Sequence, residues 1–452
     1  MSLLRVGALL SLSAFALAWP AEAEAQSLSE TVGIAISTSP RVAGVAQNRQ
    51  TTDSELRRAR GLYLPQADAR IDIGPEYSNN SFTRSANNSR HLRQEFSAVL
   101  TQRLYDGGEA DGTVEQQKAR SRSSAFRVRE TAEFVGLDAV EAHLDVLRLR
   151  RILKAADENL AALRALERRV RQRTEGGAGR SAEIAQALAR VEQAQADREE
   201  TQGRLREVEA RYRSVVGTPP ASLIEASIPV DKVPRDVEAS VTLLQSGNPT
   251  VKITEADIDA AKAQIDVADA RFVPTVNLEL SGSHNRDVSG FPGTDDEARA
   301  LLVLHWNLYA GGADVANRDA AYSHYLESMT SRLQALRQAE ENIRTAWASY
   351  DSSQRRARIL AQAVRHNVEV HAAYDEQYNL GTRSLLDLLD SQQELFASQT
   401  RLATAEEAAI FAAYRILALD GMLLSSLNVR PPVEADPGHK VPRPAPRANA
   451  PQ

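Results

Sequence analysis

Hydrophobic and polar positions alternate with period two in four short stretches, and each pair of stretches is followed by a much longer segment with helical spacing. Ile71, Ile73 and Tyr77 alternate with Arg70, Asp72 and Glu76, and Phe96, Ala98 and Leu100 alternate with Glu95, Ser97 and Thr101. Further on, Val276, Leu278 and Leu280 alternate with Asn277, Glu279 and Ser281, while Leu302, Leu304, Trp306 and Leu308 face away from His305 and Asn307. Period-two alternation predicts strands with one apolar face. Polar stretches at 78–91 and 282–297 read as hairpin loops. Each strand is about ten residues long, which fits a tilted membrane-spanning strand, and Tyr105, Trp306 and Tyr309 at the strand ends suit an interfacial aromatic girdle. Alternation alone fits a soluble antiparallel sheet equally well.

The helical segments run from Glu109 to about Gln172 and from Ala313 to Tyr378 without proline. Leu149, Leu153, Ala156, Leu160, Leu163 and Val170 keep coiled-coil spacing, and a helix of about 60 residues measures on the order of 90 Å. Turns at 174–180 and 379–382 lead into second helices, Ser181 to Val216 and Arg383 to Asp420. The halves repeat each other in further marks. Ser39-Pro40 is answered by Asn248-Pro249, each an N-cap followed by proline at the first helical position. The helix end at 59–65 is answered at 269–274, and Tyr105-Asp106-Gly107-Gly108 by Tyr309-Ala310-Gly311-Gly312. Each half is therefore hairpin, long helix, turn, long helix.

The expected organisation is a signal peptide at 1–25, a first repeat at 26–216 with its hairpin at 66–104, and an irregular linker at 217–240. A second repeat follows at 241–425 with its hairpin at 274–308, then a disordered Pro-rich tail at 426–452. The amino terminus has Arg5, an apolar run from Val6 to Trp19 and small residues ending at Ala25, which reads as a secretory signal cleaved before Gln26. The alternative, a membrane anchor, falls short of the roughly 20 apolar residues needed. The chain has 452 residues, no cysteine and a net charge of −6. Lack of cysteine excludes disulfides, thiolate metal sites and a lipid-modified N-terminal Cys, and the modest charge argues against nucleic acid.

One stretch, Tyr378 to Gln399, carries the most specific signal. A Gly-Thr turn at Gly381 and Thr382 precedes a helix with Leu385, Leu386, Leu388, Leu389, Leu395 and Phe396 on its flanks and Asp387 and Asp390 on one face. Apolar residues on both flanks require two neighbours, and the carboxylate face requires water. This stretch resembles the tunnel-end hairpin of the TolC family of outer-membrane channels, in which a Tyr, a Gly-Thr-Arg turn and two Asp residues occur in this order. With the repeat, the likeness extends over most of residues 27–425.

The resemblance implies an α+β fold in two tandem repeats, assembled as a homotrimer. Four strands per protomer would form a 12-stranded transmembrane β-barrel, continued by a periplasmic α-helical barrel of coiled-coil hairpins. It also implies closed-tunnel contacts at Tyr378 and Arg383, with Glu183 at the position of their partner, and an acidic constriction at Asp387 and Asp390. From the residues alone, Asp387 also fits a capping box with Ser384, and Arg383 a solvated turn charge.

No catalytic or cofactor constellation is present in the sequence. His366 and His371 are five apart, off a common helix face, there is no HExxH motif, and the Gly-Gly pairs lack phosphate-loop spacing. The implied function is a passive exit duct in the outer membrane, embedded in lipid and extending into the periplasm. It would dock through a periplasmic adaptor (membrane fusion protein) on an inner-membrane ABC or proton-driven pump and serve type I protein secretion. The alternatives are a drug or solute efflux duct paired with a resistance-nodulation-division pump, and a periplasmic adaptor. An adaptor would carry one helical hairpin, whereas this chain has two.

Overall fold

The computed structural model describes residues 25–85, 90–177, 180–289 and 293–439. The predicted signal peptide, apart from Ala25, lies outside them. Within the described residues the order is α1 (Leu28–Thr38), α2 (Pro40–Arg60), β1 (Gln66–Tyr77), α3 (Ser81–Ser85), β2 (Arg90–Tyr105), α4 (Glu109–Glu175) and α5 (Ser181–Val216). The second half gives α6 (Val237–Gly247), α7 (Pro249–Asp269), β3 (Thr275–Arg286), β4 (Thr294–His305), α8 (Ala313–Asn379), α9 (Leu385–Leu419) and the short α10 (Leu423–Ser426).

The repeat is visible in local chemistry. Ser39 accepts from the Val42 amide and Asn248 from the Val251 amide, each with proline beginning the helix, because proline's missing N–H falls among donors a helix leaves unpaired anyway. Both strand-to-helix switches run through paired glycines with positive φ, Gly107-Gly108 and Gly311-Gly312. At Gly107 a Cβ would also meet Val273 Cγ2 at 1.9 Å, so both conformation and space demand glycine. The helices that follow, α4 and α8, are each 67 residues long, about 100 Å at 1.5 Å per residue.

All four strands form one antiparallel sheet in the order β1-β2-β3-β4. Register carries one chemistry across it. Ala67, Leu100, Leu280 and Ala300 form a row on one face, and Ala69, Ala98, Gly282 and Ala298 form the next. On the other face Asp72, Glu95, Asn285 and Asp295 form a row, as do Arg70, Ser97, Ser283 and Glu297. Among the described residues no helix of the chain covers the apolar face: Ile73 and Leu302 are each 69% exposed. The helices beside the sheet repeat its order, with α2 on α4, α4 on α7, and α7 on α8. This layer ends at α8 in an exposed stripe, Val315, Tyr322, Leu326, Met329 and Leu333, spaced as one helix face.

Three apolar clusters hold the helices. The largest joins α1, α4, α5 and the end of α9 around Val32, Val140, Tyr212 and Leu417. A second packs α6 and α7 on α8 and α9 through Val251, Ile343 and Ile416. The third lies at the far tips of the hairpins. His143 in the first cluster is fully buried between Thr31 and the Ile224 carbonyl, both at 2.9 Å, and burial lowers its pKa. It is a satisfied core histidine.

The structure corrects the sequence reading in three places. The fourth strand begins at Thr294 inside the expected loop and ends at His305, before Leu308; Asp295, Asp296 and Glu297 look like loop residues yet pair with Asn285, His284 and Ser283. The irregular linker ends at Asp236, which caps α6, and its middle is tied by parallel pairing of Gln26 with Leu223. The tail is not disordered from residue 426: α10 packs on α4 and α9, and Val433–Ala435 forms a turn on α2 and α4 with Ala435 buried. Small apolar side chains there find a groove that composition alone does not show.

Candidate functional site

The tips of the two coiled-coil hairpins meet around the stretch singled out by sequence. Leu160, Leu163, Leu166 and Val170 of α4 pack with Val191 of α5 and with Tyr378, Leu385, Leu388 and Leu389 of the second hairpin. The second-half turn closes with Gly381 at φ +76°, its N–H donating to the Tyr378 carbonyl at 3.0 Å, while the Thr382 N–H donates to Gln377. Glycine is required by that left-handed conformation.

Tyr378 is buried. Arg173 reaches it from the end of α4, its Nη1 donating to the Tyr378 carbonyl at 3.3 Å and its guanidinium 5.5 Å from the ring centre. Burial raises the Tyr378 pKa; nearby Arg173 opposes this and the charge of Glu183 adds to it. The charge of Glu183 thus acts on Tyr378 from within the same chain. Arg383 sits instead over the Tyr374 ring at 3.8 Å and 3.7 Å from Asp387.

Of the two carboxylates of the expected constriction, Asp387 is half-buried and Asp390 exposed, and both are engaged. Ser384 accepts from the Asp387 amide at 3.2 Å and its hydroxyl donates to the Asp387 carboxylate at 2.8 Å, the arrangement of a helix N-cap. Asp390 pairs with Arg190 of α5 at 2.8 Å. Arg169 adds a further link, donating to Asp375 at 2.7 Å and Asn379 at 3.2 Å, and its hydrogen bond holds the Asp375 pKa down. Arg169, Arg173, Arg190 and Tyr374 were missed by sequence reasoning. The available signal was the basic run at 168–173 at one tip and the acidic segment at 375–376 at the other. Among the described residues no group of His, Cys, Asp and Glu is arranged to hold a metal, and no helix is long and apolar enough to cross a membrane.

Residues 241–422 match the family described as outer membrane efflux protein. Similarity beyond that segment reaches both halves of the chain: outer membrane protein TolC of Escherichia coli (strain K12) is 22% identical over 410 residues, 88% of this chain and 81% of TolC. Residues 241–422 belong to the outer membrane efflux protein family, and the chain as a whole is similar to the TolC channels. Another family member, the outer membrane efflux protein BepC of Brucella suis, is 26% identical over 329 residues, 72% of this chain and 71% of BepC. Among solved structures, CusC, studied for the conformational changes accompanying folding and transmembrane channel formation, superposes with a TM-score of 0.75 at 17% identity over 88% of this chain and 91% of its own. The TolC family fold and the α+β architecture read from the sequence are therefore the same. The family places the protein in the outer membrane, extending into the periplasm, as a passive efflux channel.

Proposed function

We propose that three copies of this chain close edge to edge into one channel, which serves as the exit duct of an export system driven by an inner-membrane pump through a periplasmic adaptor. The observation that carries this is the uncovered apolar face of the sheet combined with matching open edges in two layers. In hydrocarbon an unpaired strand edge costs several kcal/mol per group, so β1 and β4 require partners. The α2 and α8 edges below them require partners at the same place, and α8 already exposes an apolar stripe there. Closure turns the apolar face outward to lipid and the face bearing Asp72, Glu95 and Asp295 inward to water.

The cargo reading follows the hairpin motif and the absence of cysteine, which fit the branch that exports proteins. A small-molecule reading has its own support in the matched relative described as an efflux protein. Deleting the gene and assaying protein release into the medium beside susceptibility to dyes and antibiotics separates them. Loss of a secreted protein with unchanged susceptibility supports protein export, and the reverse supports solute efflux. No change in either contradicts the duct.

A further inference from the structure

Close below the sheet, α2, α4 and the last described residues line a cavity of about 420 Å³. Five cations line it, Arg49, Arg57, Arg60, Lys118 and Arg122, together with His439 and one carboxylate, Asp53. Arg49 forms its buried floor at 2% exposure. Its Nη1 bonds Ser121 and pairs with Asp53 at 2.8 Å, but its Nε is buried without an acceptor among the described residues. Asp53 in turn accepts from the Ser121 hydroxyl at 2.8 Å, leaving Oδ2 unpartnered. Three of the other cations have partners at the rim: Arg57 donates to Ser54 at 2.7 Å, Lys118 to Glu115 at 2.5 Å and Arg122 to Asp259 at 2.7 Å.

We propose that this cavity is a binding site for a phosphate group. Convergent cations in a concave surface raise the local concentration of anions, and a guanidinium fork matches phosphate oxygens in shape as well as charge. A buried Arg Nε needs an acceptor, which a phosphate oxygen supplies.

The site's height names two sources. Tyr63 bonds Asp111 and Thr52 bonds Ser124, so α2 runs antiparallel to α4 and Arg57 lies level with Lys118. Lys118 is nine residues into α4, about 14 Å below the sheet at 1.5 Å per residue, and Arg60 is nearer. Lipid headgroups occupy roughly 5–8 Å beyond the hydrocarbon, within reach of these long side chains. The phosphate belongs either to a lipid headgroup of the periplasmic leaflet or to a soluble anion. The lipid source rests on the membrane reading above; recognition of phosphate itself does not.

The test uses the full-length protein purified in a neutral detergent and titrated calorimetrically with two probes, inorganic phosphate and dihexanoyl-phosphatidylglycerol. The parent is expected to bind at least one probe, and Arg57→Gln with Arg60→Gln to weaken that binding at least ten-fold while leaving the oligomer mass unchanged. Arg355→Gln with Arg356→Gln, on α8 away from the cavity, should bind like the parent. Lipid binding displaced by phosphate, or phosphate binding alone, supports recognition of the bare group; lipid binding that phosphate does not displace supports a headgroup site. Absence of binding by both probes, or equal binding by the parent and the Arg57/Arg60 variant, overturns the proposal.

Discussion

Arg173, at the end of the first long helix, donates to the main-chain carbonyl of Tyr378 and lies over its ring, joining hairpin tips that are 205 residues apart in sequence. This is a tie between the two halves of one chain. Arg173 is exposed, so the pair contributes modestly, about 0.5–1 kcal/mol for the ring contact.

Its consequence is a prediction about the resting tunnel. Arg173→Ser together with Tyr378→Phe should leave trimer yield within a few per cent of the parent, because little surface is lost, yet shift the tips toward an open arrangement. Single-channel conductance in planar bilayers should rise several-fold. Glu183→Gln should move it in the same direction by less, since only a nearby charge is removed. Parental conductance in the double variant would place the closing contacts elsewhere.

Asp387 and Asp390 are expected to line the narrowest aqueous passage of the assembled channel, where three copies would place six carboxylates. Replacing both by Ala should weaken block by a trivalent cation, since confined like charges attract counterions. Ser384→Ala removes the helix cap and should cost about 1 kcal/mol without changing block. Cation block that survives the double replacement would leave these residues with only their observed roles, capping and pairing with Arg190.

A third prediction concerns pH. Asp420 is buried, accepts from the Ser240 hydroxyl at 3.1 Å, and has its pKa pushed up to about 7 by burial; Trp347 bonds the same hydroxyl at 2.9 Å. Burial likewise holds Glu133 at about 7, although it accepts from the Leu424 amide. A carboxyl group raised above its unfolded value of about 4 favours the fold fully below that value and loses the advantage as pH rises through 7. Each group therefore costs on the order of 3–4 kcal/mol once ionised. Melting temperature measured at a fixed scan rate should fall between pH 5 and 8, and Asp420→Asn should flatten that fall. An unchanged slope would show that another group dominates.

The carboxyl end supplies a fourth. Ending the chain at His439 should preserve yield, whereas ending it at Leu427 removes Ala435 from its groove and Asp436 from the neighbourhood of Arg49. The shorter protein should melt several degrees lower by circular dichroism. Equal melting of both truncations would mean that this segment adds nothing to stability.

Most of the fold is legible in sequence because each strand alternates locally and each long helix has a local period. The fourth strand was misplaced because Asp295, Asp296 and Glu297 carry loop-like chemistry on a strand whose faces both turn polar toward the hairpin. The turn at Gly381 and the Ser384 cap on Asp387 were legible because they lie within a few residues of one another. Arg173, Arg169 and Arg190 were not, since their partners are about 200 residues away and only the packing of the two hairpin tips brings them together. The burial of Ala435 was hidden for the same reason, among prolines that suggest disorder.

The apolar face and open edges of the sheet call for closure by further copies of the chain. The most direct measurement is the mass of the detergent-extracted protein, by light scattering corrected for bound detergent. Three chains per particle is the predicted result. A monodisperse monomer, stable in detergent and retaining its strand content by circular dichroism, would contradict it.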